Sequence, residues 1–224
     1  RNQQEGGHFL TIEDPIEFLH SHAGCIVTQR EVGIDTESYE VALRNTLRQA
    51  PDVILIGEIR TREAMEHAIS FAETGHLVLT TLHANNANLA LDRMLHFFPE
   101  DQHDQVLMDL SLNLRGIVAQ QLVHQAQGNG RKAIMEILLN TPLVADLIVK
   151  GEVSKLKELM KRSTEQGMIT FDQALYDAFR RGEITENDAL RYADSSNEVR
   201  LMIKLGDTSP GALSREAGTL DFRE

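Results

Sequence analysis

Residues 53–56 read Val-Ile-Leu-Ile, four apolar residues in a row with three of them β-branched, and they end on Gly57 and Glu58. A short run with no polar alternation fits a strand buried on both faces, the kind found inside a parallel sheet. Such a strand is dry along its length, yet this one delivers a carboxylate at its carboxyl end. Ligands of open α/β sheets sit outside that end, and a Glu held there can orient or deprotonate a water. A surface Glu opening a loop is the competing reading, and one strand does not separate the two.

Two other segments repeat the pattern. His8-Phe9-Leu10-Thr11-Ile12 reads as a strand running into Glu13-Asp14-Pro15-Ile16-Glu17, where Pro15 ends the pairing and three carboxyl groups cluster. Leu77-Val78-Leu79-Thr80-Thr81-Leu82 reads as a strand running into His83. Between the last two strands, Met65, Ala68, Ile69 and Ala72 follow helical spacing, with Thr61 as cap and Gly75 at the end. An earlier helix carries Tyr39, Leu43 and Leu47 on one face, with Asp35 or Thr36 as its cap and Pro51 beyond its end. Strand–helix–strand units of this size imply parallel strands and right-handed crossovers. The expected fold class is α/β, a mostly parallel sheet flanked by helices, with Glu13, Glu17, Glu58 and His83 at one edge. That convergence favours a site over a set of surface residues.

His76 and His83 bracket the third strand, and seven residues at about 3.3 Å each set them roughly 23 Å apart. His83 stands at the carboxyl edge and can reach a ligand. His76, at the other end, reads as a hydrogen-bonded structural or subunit-contact histidine.

With 224 residues, 42% of them hydrophobic, the chain can bury a core and form one domain plus a smaller appendage. A net charge of −12 argues against nucleic-acid partners and anionic membranes, which call for basic patches. The absence of Trp and the 5% aromatic content weaken a base-stacking role further. No apolar stretch approaches the roughly 18 residues of a membrane span, and no signal peptide is visible. A lone Cys25 allows neither an internal disulfide nor a cysteine-based zinc site, in keeping with a reducing cytoplasm.

The start at Arg1, without a Met and a few residues from a strand, reads as a cut, and no G-x-x-x-x-G-K-[ST] phosphate loop occurs in the sequence. Residues 99–124 read as a long helical segment interrupted at Arg115-Gly116, followed by a turn at Gln127-Gly128-Asn129-Gly130 and a strand over 132–138. Beyond Asn140 the composition changes to short helices. Thr141-Pro142 opens one, Thr170-x-x-Gln173 and Ser195-x-x-Glu198 fit the capping box, and Thr185-x-x-Asp188 resembles it. Leu147, Leu156, Leu159, Phe171, Leu175, Phe179 and Leu190 are the candidate core there. The expected organisation is a core over 1–140, a helical region over 141–205 and a disordered tail over 206–224.

Thr11-Ile12-Glu13-Asp14-Pro15-Ile16-Glu17-Phe18 resembles the Asp box of the type II/IV secretion and pilus ATPases, and Leu55-Ile56-Gly57-Glu58-Ile59-Arg60 resembles their atypical Walker B. Thr74-Gly75-His76 through Thr81-Leu82-His83 resembles their His box. Order and spacing match together over residues 8–205, including 167–173 and 193–205. The resemblance is closest to the PilT/PilU group of type IV pilus retraction motors, since the four-cysteine zinc element usual in extension and secretion motors cannot be built from one cysteine. Leu143-Val144-Ala145-Asp146-Leu147 stands where PilT carries Ala-Ile-Arg-Asn-Leu, and Thr61 where PilT usually has Asp, so the chain resembles the PilU side of the group.

The resemblance implies a RecA-like ATPase core followed by a small all-helical C-terminal region, a homohexamer, ATP and Mg²⁺ as cofactors, and type IV pilus retraction in twitching motility. It also implies a cytoplasmic protein peripheral at the inner membrane, partnered by a PilT-like retraction ATPase and an inner-membrane pilus platform protein. By position it makes Glu58 the catalytic base, Glu13 and Glu17 the holders of Mg²⁺ or its waters, and His83 a γ-phosphate sensor. Asp14 is either a further carboxylate of the site or a cap on the turn into Pro15, and Arg30 and Arg60 are candidates for contacts across a subunit boundary or plain surface salt bridges. The Lys of the family's phosphate loop is not in this sequence, so the chain by itself is expected to be inactive. Two other readings stay open. One is a non-catalytic assembly module docking on a PilT-like motor. The other is a metallohydrolase using Glu13, Asp14, Glu17 and His83, an oxygen-rich set suited to Mg²⁺ or Mn²⁺.

Overall fold

The computed structural model describes residues 2–206, and the tail expected over 206–224 lies, beyond Gly206, outside them. Contacts gather the described chain into two compact units, one of residues 2–84, 88–115 and 140–154, the other of residues 85–87, 116–139 and 155–206. No helix among the described residues is long and apolar enough to cross a membrane.

The first unit is built on a four-stranded sheet of β1 (Gly7–Glu13), β2 (Cys25–Glu31), β3 (Val53–Ile56) and β4 (Leu77–Thr80). Its order is β2-β1-β3-β4 and every pair is parallel. Leu10, Ile12, Val53, Ile54 and Ile56 are fully buried, as the dry central strands require. The crossover helices are α1 (Tyr39–Thr46) and α2 (Arg62–Glu73), and α1 packs on β1 while α2 packs on β4. Also in this unit are α3 (Ala87–His96) from its second residue onward, α4 (His103–Asn113) and α5 (Pro142–Val149). The mostly parallel sheet flanked by helices is therefore as expected.

Several local expectations are corrected. Strand β2 was not legible in the sequence, and it forms the edge of the sheet beside β1. Helix α1 is capped by Ser38, whose side chain accepts the Val41 N–H. Asp35 instead accepts the Glu31 N–H, and Thr36 bridges to Val32, so both belong to the turn before the helix. Its buried face is Ala42, Leu43 and Thr46, while Leu47 is exposed because the chain tightens into a 3₁₀ turn from that residue. Thr61 caps α2 as expected, accepting from the Ala64 N–H, but the buried stripe is Ala64, Met65, Ala68 and Phe71.

The largest correction falls on residues 99–124. The helix there stops at Asn113, and Gly116–His124 is a strand, β5, paired antiparallel with β6 (Arg131–Leu139). Gly116 makes the pairing possible. A Cβ there would lie 2.8 Å from the Leu138 carbonyl oxygen, closer than a side chain can be accommodated. Burial then alternates, with Ala119 and Val123 inside and Val118 and Leu122 exposed.

In the second unit this hairpin carries α7 (Phe171–Arg180) on β6 and α8 (Glu186–Tyr192) on β5, with α6 (Leu156–Arg162) and α9 (Ser196–Gly206) in the same unit. Its core joins Val123 and Ile134 of the hairpin to Phe171, Leu175, Ala178, Ala189 and Val199 of the helices. The Thr170–Gln173 capping box is complete, and Thr185 caps α8 through the Asp188 N–H.

Candidate functional site

Four parallel strands point their carboxyl ends one way, and the chain stays knitted beyond them. Gly57 N–H donates to the Ile12 carbonyl at 2.8 Å, Val32 N–H to the Glu13 carbonyl at 2.9 Å, and Ile59 N–H to the Thr81 carbonyl at 3.1 Å. The Thr81 hydroxyl also donates to the Gly57 carbonyl. These bonds fix the segments that follow β1, β3 and β4 as neighbours, which side-chain contacts alone could not hold in register.

Glu58 lies at the centre of this rim. Its side chain is only 15% exposed, one oxygen accepts from Arg60 Nε at 2.6 Å, and the other lies 2.9 Å from His83 Nε2. His83 is 79% exposed, so its imidazole can turn toward a ligand without unpacking anything. Arg60 Nη1 stands 4.0 Å from the Asp14 carboxylate, which ties the segment after β1 to the segment after β3. The Glu58 hydrogen bond and charge raise Arg60 above its ordinary value and so hold it firmly cationic.

Glu13 ends β1 beside this cluster, its Cα 3.3 Å from where a Cβ on Gly57 would sit. One carboxylate oxygen accepts from the Thr11 hydroxyl at 2.7 Å and from Gln29 Nε2 at 3.1 Å. Gly57 is the residue that permits this closeness, since a Cβ would also press the Ile12 carbonyl at 3.2 Å and the Tyr39 hydroxyl at 3.3 Å. Gly57→Ala is expected to cost about 1–3 kcal/mol through this crowding, read as a lowered thermal midpoint. An unchanged midpoint would contradict the tight approach.

Tyr39 is the residue that sequence reasoning missed. Helical spacing assigned it to the core face of α1, yet its phenol sits within the field of Asp14, Arg60 and Glu58. Burial first, then the Asp14 charge, push the phenol above its ordinary value, while Arg60 and the Glu58 backbone oppose the rise. It stays a neutral hydroxyl over the physiological range. Thr11 was legible in principle, because strand residues two apart share a face. Gln29 was not, because it reaches Glu13 from the unrecognised strand β2.

The remaining candidates take no part in this hydrogen-bonded cluster. Glu17 is exposed and has no hydrogen bond or ion pair among the described residues. His76 lies at the amino end of β4, its Nδ1 3.0 Å from the Thr74 hydroxyl and 3.1 Å from the Phe71 carbonyl. Arg30 donates to Gln49 Oε1 at 3.0 Å within the chain. The departure noted at 145–146 lies on α5, where exposed Asp146 pairs with Lys150 at 2.6 Å. No group of three or more His, Cys, Asp or Glu side chains able to hold a metal is gathered among the described residues.

Residues 2–191 match the family described as Type II/IV secretion system protein. The chain is 70% identical over 209 residues to the Type IV pilus ATPase PilU of Pseudomonas aeruginosa, covering 93% of this chain and 55% of that protein. It is 39% identical over 188 residues to the retraction ATPase PilT of the same organism, covering 84% of this chain and 54% of that protein. Its fold superposes on a crystal structure of the pilus retraction motor PilT with bound ADP at a TM-score of 0.83 and 40% identity, covering 90% of this chain and 57% of that one. The chain thus spans about half the length of the curated relatives it matches. On the match over residues 2–191 and these similarities, the chain belongs to the type II/IV secretion system protein family and is similar to its type IV pilus retraction ATPases.

Proposed function

We propose that this chain is the C-terminal part of a hexameric motor ATPase that couples ATP hydrolysis to type IV pilus retraction, of the accessory PilU type. The observation that carries the reading is the Glu58 carboxylate, held between Arg60 and His83 on the carboxyl rim of a parallel sheet.

Each side chain then has a task that its chemistry suits. Glu58 accepts a hydrogen bond from the attacking water and would take up its proton as the water oxygen bonds to the γ-phosphorus and the bond to the β,γ-bridging oxygen breaks, releasing ADP and phosphate. Arg60 fixes the carboxylate's orientation by occupying one oxygen. His83 turns from Glu58 toward the γ-phosphate oxygens. Glu13 and Glu17, with Asp14 nearby, are the carboxylates that would hold Mg²⁺ or its waters. Such a site takes one or two carboxylates plus waters and phosphate oxygens, so it needs no dedicated protein cage. When bound, that ion would neutralise charge on the phosphates. Since the 224 residues contain no phosphate loop, anchoring of the β- and γ-phosphates would come from residues outside them.

The same reading assigns the protein to the cytoplasmic face of the inner membrane, with the platform protein and a PilT-like motor as partners. The Ala145 and Asp146 departures on α5 support action alongside such a motor.

The test is Mg²⁺-dependent ATP hydrolysis by the full-length protein. His83→Ala should slow turnover by roughly 10- to 100-fold, as loss of one group aimed at developing charge does. Full activity in that variant, or no hydrolysis by the wild type, would refute the assignment.

A further inference from the structure

Strand β2 pairs with β1 so that Gln29 stands opposite Thr11 and Glu31 opposite Glu13. Strand residues two apart share a face, so these four side chains line one face at the carboxyl end of the pair. Gln29 is half-buried there, and both ends of its amide are used. Its Nε2 donates to Glu13 Oε1 at 3.1 Å and to the Phe18 carbonyl at 2.9 Å, and its Oε1 accepts the His20 N–H at 2.7 Å. The partners of the nitrogen are both acceptors, and the partner of the oxygen is a donor. Only one of the two amide orientations satisfies all three, so the position calls for a donor and an acceptor on one side chain.

The loop over residues 14–24 is fastened to the same strand on either side of that point. Ile16 N–H donates to Glu31 Oε2 at 3.1 Å, and His22 Nδ1 accepts the Val27 N–H at 2.9 Å. Of these ties, the one through Gln29 also reaches Glu13.

Glu13 shows what that does. Its Oε1 accepts from the Thr11 hydroxyl at 2.7 Å as well as from Gln29, while Oε2 accepts from none of the described residues. Two donors on one oxygen fix how the carboxylate is turned and leave the other oxygen for an outside partner. Carboxylates that bind cations are oriented by such outer hydrogen bonds. Phe18 directly follows Glu17, so the nitrogen that holds Glu13 also holds the neighbouring carbonyl on the loop that carries Glu17.

We propose that Gln29 is a positioning residue for the two carboxylates assigned to Mg²⁺, setting the turn of Glu13 and tying it to the placement of the loop that carries Glu17. The inference rests on the reading of Glu13 and Glu17 given above, and every residue it uses lies in the first unit. Drawing Phe18 and His20 away removes two of the three partners of the amide. The amide is then free to turn, and Glu13 keeps only the Thr11 hydroxyl. Displacement of the loop is felt at the carboxylate through one side chain.

The experiment is a double-mutant cycle in the full-length protein, with Gln29→Met, Glu13→Gln and the double variant, on samples shown by circular dichroism to be folded. Met keeps the reach of the side chain and removes its donor and its acceptor. The readout is Mn²⁺ affinity of protein saturated with a non-hydrolysable ATP analogue, followed by electron paramagnetic resonance, so no turnover is needed. Gln29→Met should weaken Mn²⁺ binding by about tenfold, the low end of the range for lost outer hydrogen bonds. In the Glu13→Gln background the same change should cost less than about threefold, because the two residues act as one unit. Amide exchange over residues 16–22 should quicken in Gln29→Met without nucleotide, since the His20 N–H loses its acceptor. Gln29→Ala supplies the same cycle if the Met variant fails to fold. Equal losses in both backgrounds, or unchanged affinity in Gln29→Met, would overturn the proposal and leave the Mg²⁺ reading standing. Unchanged exchange in the loop would overturn the coupling. Unchanged Mn²⁺ affinity in Glu13→Gln would remove the reading of Glu13 itself, and the proposal with it.

Discussion

Glu58→Gln in the full-length protein should reduce ATP turnover by at least about 100-fold, the scale of a lost general base, while nucleotide affinity changes by no more than a few-fold. The amide nearly matches the carboxylate in size and can still accept the Arg60 Nε–H, so the rim should keep its shape. What it loses is the charge and the ability to take a proton from water. Nothing in the geometry has Glu58 needed to hold the nucleotide, since Glu13 and Asp14 are separate carboxylates and Arg60 remains cationic. Rapid-quench or steady-state hydrolysis, paired with binding of a fluorescent nucleotide, separates the two effects. A variant that binds and still hydrolyses at a wild-type rate would leave Glu58 as a structural partner of Arg60. A variant that neither binds nor hydrolyses would point instead to a collapsed rim.

The largest stability effect is expected at Phe171. Its side chain is fully buried in the second unit's core, in one cluster with Val123 and Ile134 of the hairpin and Leu175 and Val199 of the helices. Phe171→Ala should cost about 3–5 kcal/mol, the range for removing a buried aromatic ring, visible as a lower urea midpoint. The backbone N–H that donates to the Glu136 carboxylate is kept in this variant, so the loss measures packing and not that hydrogen bond. A cost below about 1 kcal/mol would mean that the core refills the space or never closed around the ring.

The parts of the fold that the sequence revealed were those with a local signature. Strand β3 is apolar throughout and bounded by Pro51 and Gly57, so its burial and its carboxyl-end Glu58 could be read together. Thr61, Thr141, Thr170 and Thr185 act as helix caps because capping depends on residues within three positions. Strand β2 escaped because Cys25–Glu31 mixes Thr, Gln, Arg and Glu with apolar residues, and it is held by pairing with β1 instead of by its own periodicity. Strand β5 escaped for the opposite reason. Its apolar residues at 118 and 122 satisfy helical spacing as well as strand alternation, and the deciding fact, the carbonyl of Leu138 against Gly116, is 22 positions away.

The candidate site divides along the same line. Glu58 and His83 were legible because each terminates a recognisable strand, and the structure adds their 2.9 Å contact. Tyr39 was not, because what brings its hydroxyl to the rim is the packing of α1 on β1.

The most direct measurement is a crystal structure of the full-length protein with Mg²⁺ and a non-hydrolysable ATP analogue. The γ-phosphate is expected at this rim, within hydrogen-bond reach of His83 and about one water from the Glu58 carboxylate. A nucleotide bound with its phosphates at the amino ends of the strands, beside His76, would contradict it.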